Sequence, residues 1–278
     1  MNDTTTPCTR AASLEAGAAA IVACPDTSEK VRLAYQLAGD WFGRTLSLRA
    51  TGRLDLPERP GRPEHPVLLP PRDMPKRAVG GTRGRIALLH SLAHIELNAV
   101  DLTWDLVARF AGEPMPRSFF DDWVQVGLEE AKHFSMLERR LHELDAAYGD
   151  LPAHDGLWQA AAETGQSLAA RLAIIPLVLE ARGLDITPPM IEKARANEDE
   201  GTAKILETIY RDEKRHVAFG AKWFRFVCDR ERVRPEPLFQ KLVRKHFRGA
   251  LKPPFNDRAR SEAGLTPGFY KPLASLVG

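Results

Sequence analysis

The sequence has few cysteines and no long apolar run, and both absences limit the classes of protein to which it can belong. Three cysteines, Cys8, Cys24 and Cys228, are too few and too scattered among 278 residues for a disulfide framework or a cysteine-based zinc site. No stretch approaches the roughly eighteen consecutive apolar residues that span a bilayer. The first 25 residues lack the basic start and apolar run of a secretory signal. These features indicate a reducing, cytoplasmic setting without a membrane segment.

The alternation of apolar and polar residues that is typical of β-strands is also absent, whereas proline is concentrated in one segment. Residues 52–75 hold seven prolines, a density that neither a helix nor a central strand tolerates, so an extended strap is expected there. Elsewhere the apolar residues recur with helical periodicity, which predicts an all-α protein. Four long helices are expected, at residues 82–111, 118–148, 155–183 and 200–232.

Shorter elements are expected on either side of these four helices. An alanine-rich helix is predicted at residues 11–24, and Asp26 is a suitable N-cap for a second helix that ends near residue 41. After the last long helix, another helix is predicted at residues 235–248, followed by an irregular tail. Residues 1–10 are expected to be disordered.

Prolines and a glycine mark expected irregularities around the third long helix. Pro176 lies inside it and is expected to kink it or to open its hydrogen-bond ladder. Gly183 is expected to end this helix. Pro188 and Pro189 then favour the start of a short, separate helical piece.

The second and fourth long helices share the motif Glu-x-x-His, which occurs at Glu130–His133 and at Glu213–His216. Residues three apart on a helix lie on one face about one turn apart, so the carboxylate and the imidazole of each motif can reach one metal ion. A single copy of this motif is common and would carry little weight. Two copies on long helices are a much more specific signal.

The first and third long helices each place one glutamate within an apolar stripe. Glu96 and Glu180 have apolar residues one turn away on the same face. A buried, unpaired carboxylate is energetically costly and needs a cation. Glu96 precedes Glu130 by 34 residues, and Glu180 precedes Glu213 by 33. The chain therefore repeats one unit, a helix with a single glutamate followed by a helix with Glu-x-x-His.

Two such units would bring four carboxylates and two imidazoles together, as in the di-metal sites of ferritin-like carboxylate proteins. The alternative is a set of surface salt bridges on a plain helical bundle, but neighbours such as Trp123, Phe134, Trp223 and Phe224 favour burial. Oxygen and nitrogen donors without a thiolate suit two iron ions, manganese or a mixed pair, although zinc also accepts these ligands. The predicted metal ligands are Glu96, Glu130, His133, Glu180, Glu213 and His216.

Other polar residues of the first helix have simpler interpretations. His90 and His94 point away from the face of Glu96, which favours a polar surface. Asp101 and Asp105 lie on that same side and are expected to be solvated.

Four further residues have open interpretations. Glu129 lies about 100° around the helix from the neighbouring ligand, so it either supports the site or is exposed. Tyr210, one turn before the second motif, is either a hydrogen-bond donor to a ligand, a radical site or an ordinary core tyrosine. His154 is either a capping residue or a gate to the site. Arg182 can pair with a carboxylate of the bundle or with an anionic substrate.

The second motif extends to Asp212-Glu213-Lys214-Arg215-His216, which looks like the Asp-Glu-x-Arg-His motif of di-iron monooxygenases. Residues 82–233 resemble the ferritin-like superfamily, which includes rubrerythrins, ribonucleotide reductase small subunits, bacterial multicomponent monooxygenases and a tRNA hydroxylase. The resemblance implies that Asp212 supports a ligand histidine, His133. It also implies bridging roles for Glu130 and Glu213, terminal roles for the other two glutamates, and one iron for each histidine.

Beyond about its first ten residues, the chain is similar to the uncharacterised bacterial family catalogued as domain of unknown function 455. Three stretches carry this similarity: AHIELNA at 93–99, YGDLPAHDG at 148–156 and LEARGLD at 179–185. The expected organisation has three parts. These are N-terminal helices and the strap at 1–81, a ferritin-like di-metal four-helix bundle at 82–233, and a C-terminal helical extension packed on the bundle at 234–278.

Three functions remain open. The first is a di-iron oxidoreductase that activates O2 or peroxide, such as a hydroxylase or oxygenase acting on a small molecule. It requires a pocket that reaches the metals and is partly walled by the segments outside the bundle. The second is a ferroxidase, peroxidase or iron-handling protein without an organic substrate. The third is a non-catalytic helical interaction module, which needs no metal. The long flanking segments would crowd a ferritin-type shell, so a monomer or small homo-oligomer is expected.

Charge is unevenly distributed along the chain, although its net value is only +2. Residues 86–213 contain 11 basic and 23 acidic residues, residues 42–85 contain 10 and 4, and residues 214–260 contain 14 and 4. The basic segments either neutralise the acidic bundle or face an anionic partner such as tRNA.

Overall fold

The chain folds into helices. The computed structural model describes residues 11–52, 54–75, 80–248 and 250–274; the predicted disorder at 1–10 lies outside these ranges. Within them no strand forms beyond isolated bridges, which confirms the all-α class. In chain order the α-helices of this part are α1 (Leu14–Ala23), α2 (Thr27–Phe42), α3 (Gly81–Arg109), α4 (Arg117–His142), α5 (Gly156–Thr164), α6 (Leu168–Ile174), α7 (Ala181–Ala196), α8 (Glu200–Glu231), α9 (Pro235–His246), α10 (Asp257–Glu262) and α11 (Pro267–Tyr270).

Local side-chain chemistry explains several helix ends. Asp26 caps α2 as predicted, because its carboxylate accepts the Glu29 N–H at 2.7 Å. Helix α4 ends earlier than its predicted limit at residue 148. Asp145 takes a left-handed conformation with φ 55°, and the Ala146 N–H donates to the Leu141 carbonyl, so the chain turns away before Gly149.

The third predicted helix is not one continuous rod. It is divided into α5, α6 and α7, and a π-helical segment, Ile175–Glu180, joins α6 to α7. Pro176 lies in this segment, so its predicted effect on the hydrogen-bond ladder is confirmed.

The expected end at Gly183 and the expected new helix at Pro188 and Pro189 were wrong, because α7 runs through all three residues. A proline at position 188 removes the N–H that would bond the Leu184 carbonyl. The Asn256 side-chain amide donates to this carbonyl at 3.2 Å instead, and it thereby compensates one of the lost bonds.

The proline-rich segment is extended, as predicted, apart from a 3₁₀ turn at Pro71–Asp73. It runs past the loop that follows α4. The Leu69 N–H donates to the Ala153 carbonyl at 2.8 Å, and the Ala153 N–H donates to the Val67 carbonyl at 3.0 Å. These bonds hold the strap beside this loop.

Helix α3 is buried on more than one face, because α1 packs across it in addition to α4. The expectation that Asp101 and Asp105 are solvated was therefore wrong, since both are buried. Asp101 pairs with the buried Lys30 and lies 2.7 Å from Arg62. Asp105 pairs with the buried Arg171 and with Arg109. These cations supply the charge compensation that buried carboxylates need.

The expected polar surface at His90 and His94 was wrong for the same reason, since both are buried. His90 Nε2 accepts the Gly149 N–H at 3.0 Å. His94 donates to the His154 carbonyl at 2.9 Å through Nε2, and its Nδ1 lies 2.8 Å from the Tyr148 hydroxyl. Both histidines thus anchor the loop after α4.

Helices α3, α4, α7 and α8, together with the π-helical segment, pack against one another. Two glycines allow close approach at these contacts. A Cβ on Gly127 would lie 2.7 Å from the Trp104 ring, and one on Gly220 would lie 2.5 Å from Pro176. No helix in the described ranges is long and apolar enough to cross a bilayer.

The close contact at Gly127 predicts a cost of overpacking. Gly127→Ala is expected to lower the free energy of unfolding by about 1–3 kcal/mol, because the buried Trp104 ring must move. Gly39→Ala in α2 is the control, since no atom lies within 4 Å of its Cβ position and alanine favours a helix by up to about 1 kcal/mol. Denaturant unfolding followed by circular dichroism measures both. Equal stability of the two variants would contradict this packing.

Candidate metal centre

The structure brings all six predicted ligands into one interior cluster. Glu96 comes from α3, Glu180 from the end of the π-helical segment, and the two motifs from α4 and α8. Five of the six side chains are buried, and Glu180 is partly exposed. The carboxylate and imidazole atoms form two groups, in each of which they lie within 4.8 Å of one another. The first group is Glu96, Glu130, His133 and Glu213, and the second is Glu180, Glu213 and His216.

Two glutamates connect the halves of the cluster. Glu213 belongs to both groups. Glu130 lies between the two imidazoles, with Oε2 at 3.4 Å from His133 Nδ1 and Oε1 at 3.0 Å from His216 Nδ1. The ring centres of the histidines are 5.9 Å apart. Glu130 and Glu213 therefore occupy the positions from which a carboxylate can bridge two ions.

Each histidine has one ring nitrogen toward the cluster and one toward an acid outside it. His133 Nδ1 lies 3.2 Å from Glu96, and its Nε2 lies 3.2 Å from Asp212. His216 Nδ1 lies 3.5 Å from Glu213, and its Nε2 lies 2.8 Å from Glu129. A carboxylate beside Nε2 accepts a hydrogen bond from the N–H of that nitrogen, so Nδ1 is the nitrogen left to bind a metal.

Each of the two outer acids, Glu129 and Asp212, contacts the histidine of the other helix. Glu129 on α4 holds the histidine of α8, and Asp212 on α8 holds the histidine of α4. The structure thus places Asp212 where the resemblance put it, and it decides between the two readings of Glu129. The signal for Glu129 was present in the sequence, because each motif is preceded by an acid.

Cations outside the cluster neutralise the outer acids. Lys132 lies 2.7 Å from Asp212, and Arg215 pairs with both Glu129 and Asp212. Burial raises the pKa of Asp212, but its contacts with His133 and Lys132 outweigh burial and hold this pKa well below its usual range. Burial likewise raises the pKa of Glu129, but His216, Gln125 and Arg215 outweigh it and lower this pKa. Both outer acids are therefore anions at neutral pH, and each can accept a hydrogen bond from an imidazole N–H.

The interior carboxylates lack such cations. Burial raises the pKa of Glu96 to about 8, an effect that Glu130 increases and His133 reduces. Burial and the nearby Glu213 carboxylate raise the pKa of Glu180 well above its usual value. For Glu130, burial acts in the same direction, but the two imidazoles outweigh it and hold the pKa below the usual range. The cluster thus has a shortage of positive charge that bound metal ions would correct.

Several interior atoms also lack hydrogen bonds. Within the described ranges, both Glu130 oxygens, Glu180 Oε2 and His216 Nδ1 are buried without a hydrogen-bond partner. Buried polar atoms are normally satisfied, and each exception calls for an explanation. Seven other buried side-chain atoms of the described residues also lack a hydrogen bond, but these four belong to predicted ligands and lie together in the cluster, so the residues fit a pair of metal ions.

Tyr210 does not support a ligand. Its hydroxyl is 3.3 Å from the Asn256 amide, and the described contacts include none with a cluster carboxylate or imidazole. Its ring packs against the apolar core instead. Of the three interpretations left open for Tyr210, these contacts fit the ordinary core tyrosine, because the hydroxyl faces the C-terminal segment.

A cavity of about 670 Å³ reaches the cluster, and Glu96, Glu180 and Glu213 are part of its lining. The wall includes Phe247 and Phe255 from the segment after α9. The expected pocket, partly walled by a segment outside the four long helices, is thus present. No residue of the proline-rich strap that the structure describes contributes to its lining.

The strap lines a second cavity, of about 380 Å³, through Met74 and Pro75. His90, His94 and His154 lie on its wall, and Ile95 and Leu157 line both cavities. His154 therefore lies at the loop between the two cavities, and its carbonyl is held by His94.

The chain was compared with known families, proteins and structures. The family described as "Protein of unknown function (DUF455)" matches residues 23–271. An "Uncharacterized protein" of Haemophilus influenzae (strain ATCC 51907 / DSM 11121 / KW20 / Rd) is 39% identical over 211 residues, which cover 73% of each chain. No solved structure matched.

The contacts of the two outer acids with the histidines predict that substitution of either acid weakens metal binding. Asp212→Asn and Glu129→Gln are each expected to weaken metal binding by about 10- to 100-fold while the helical content is kept, because each removes the anion that orients one imidazole. Glu207→Gln, an exposed change on α8, is the control. Competition with a chelator of known affinity gives the dissociation constants. Wild-type affinity in both outer-acid variants would contradict the proposed orientation of the histidines.

Proposed function

This chain belongs to the DUF455 family of proteins of unknown function, and we propose that it is a ferritin-like di-iron oxidoreductase. The observation that carries the proposal is the cluster of four carboxylates and two imidazoles that converge from separate helical segments. Two Glu-x-x-His motifs on α4 and α8, with single glutamates from two other segments, are the donor set of ferritin-like di-iron bundles. We therefore propose that α3, α4, α8 and the helix interrupted by the π-helical segment form such a bundle.

The donor chemistry favours iron. The donors are carboxylate oxygens and imidazole nitrogens, and neither Cys24 nor Cys228 belongs to the cluster. Hard and borderline donors of this kind suit iron and manganese at a redox site. Manganese or a mixed pair would use the same residues.

We assign each residue a task at this site. Glu130 and Glu213 would connect the two ions, while Glu96 and Glu180 would each hold one. The outer acids accept a hydrogen bond from Nε2–H of each histidine, so the proton stays on Nε2 and Nδ1 is free to bind. When bound, two iron ions supply the electrons and coordination positions that activate O2 or peroxide.

The cavity beside the cluster favours an enzyme over an iron store. A storage site needs a route for iron, whereas a cavity of about 670 Å³ with largely apolar walls has the size and lining of a small-molecule site. We therefore propose an organic substrate for the oxidation.

Metal loading tests this function. Anaerobic titration with Fe(II), followed by elemental analysis, is expected to give two ions per chain and a monomer or small oligomer by light scattering. Exposure to O2 is then expected to oxidise both ions within one rapid phase. Glu213→Ala is expected to lose both ions, because this residue belongs to both groups.

Glu207→Gln again serves as the control and is expected to retain two ions. Wild-type loading of Glu213→Ala, or no tight binding by the wild-type chain, would contradict the metal site. Uptake of many more than two irons per chain by a large cage would favour storage over the oxidoreductase.

A further inference from the structure

The cavity beside the cluster has cationic side chains as well as apolar walls. Leu102, Ile175, Leu179 and Ile186 are among the apolar residues that line it. Arg182, Arg248, Lys252 and Arg260 line it too. The cationic groups belong to α7 and to the C-terminal part of the chain from the end of α9 through α10, so this part of the chain builds one side of the cavity.

Arg260 is the most informative of these groups, because its side chain is only 3% exposed. Its Nε and Nη2 donate to Asp185 at 2.8 and 2.7 Å, and its guanidinium lies 5.0 Å from the Phe255 ring centre and 4.6 Å from that of Tyr270. The group is therefore fixed in place. Its Nη1 is buried and has no hydrogen-bond partner within the described residues. An unsatisfied buried donor is costly, so an acceptor in the cavity would stabilise it.

Arg182 and Lys252 add positive charge on the same lining. Arg182 Nη1 donates to the carbonyls of Lys252 and Pro254 at 2.8 and 3.2 Å, and it lies 3.3 Å from Asp185. The Lys252 side chain is exposed. Two of these cations, Arg182 and Arg260, share one carboxylate, Asp185, in the contacts of the described residues. The surplus charge favours an anionic group over a neutral one.

The spacing of Glu180 and Asp185 along the chain indicates how far these cations lie from the carboxylate cluster. Asp185, the partner of Arg260, comes five residues after Glu180, which is about 7.5 Å along a helix axis. Glu180 lines the same cavity. A ligand that reaches both groups would span a distance of this order.

We propose that this cavity binds an organic anion, whose carboxylate or phosphate group accepts hydrogen bonds from Arg260 Nη1 and Arg182. Its apolar body lies along the leucine and isoleucine side chains toward Glu180. This assignment names the substrate class of the proposed oxidoreductase and rests on that function for the reaction. The binding itself depends on the cavity alone.

Calorimetric titration with octanoate, octyl phosphate and 1-octanol tests the assignment, on protein as purified and again after chelator treatment. At least one anion is expected to bind about 10- to 100-fold more tightly than the alcohol. The tighter anion identifies the head group. Arg182→Gln is expected to weaken anion binding about tenfold and to leave 1-octanol unchanged. Lys241→Gln, on an exposed part of α9, is the control and is expected to have no effect.

Arg260→Lys is expected to weaken anion binding as well, because lysine lacks the planar fork. If this variant does not fold, Arg182→Gln decides the test. Equal binding of the alcohol and both anions, no binding of either anion, or anion binding that is unchanged in Arg182→Gln overturns the assignment. Anion binding by chelator-treated protein that cannot be loaded with iron would support the cavity assignment and contradict only the metal site. Iron loading without anion binding would support the metal site and contradict only the cavity assignment.

Discussion

The structure depends on the burial of four carboxylates and two imidazoles at one point between helices. Charge in such an interior is costly unless it is paired. The outer acids are paired with Lys132 and Arg215, but the inner carboxylates have only the histidines and one another. The high pKa values of Glu96 and Glu180 express this shortage, and two divalent cations would remove it.

The surrounding helices are built to accept this arrangement. Gly220 allows α8 to approach Pro176 closely, and the π-helical segment around this proline ends at Glu180. π-helical turns inside α-helices occur frequently at functional sites. The π-helical segment also contributes Ile175 and Leu179 to the lining of the cavity. The irregular part of the third predicted helix therefore serves both the cluster and its access.

The sequence predicted the ligand cluster because motif spacing and helical periodicity are local properties. It failed where a remote part of the chain changes a residue's environment. Asp101 looked solvated because its partner Lys30 is 71 residues away. The continuation of α7 past Pro188 depends in part on the Asn256 amide, which is likewise remote. Arg260, with its free buried donor, could not be identified, because its place on the cavity wall depends on packing of the C-terminal segment.

The central claim is that two metal ions share Glu213. Crystals soaked anaerobically in Fe(II) and measured at the iron absorption edge test it directly. The account predicts two anomalous peaks per chain, one among Glu96, Glu130, His133 and Glu213 and the other among Glu180, Glu213 and His216. A single peak, peaks at surface acids only, or no peak within this cluster would contradict it.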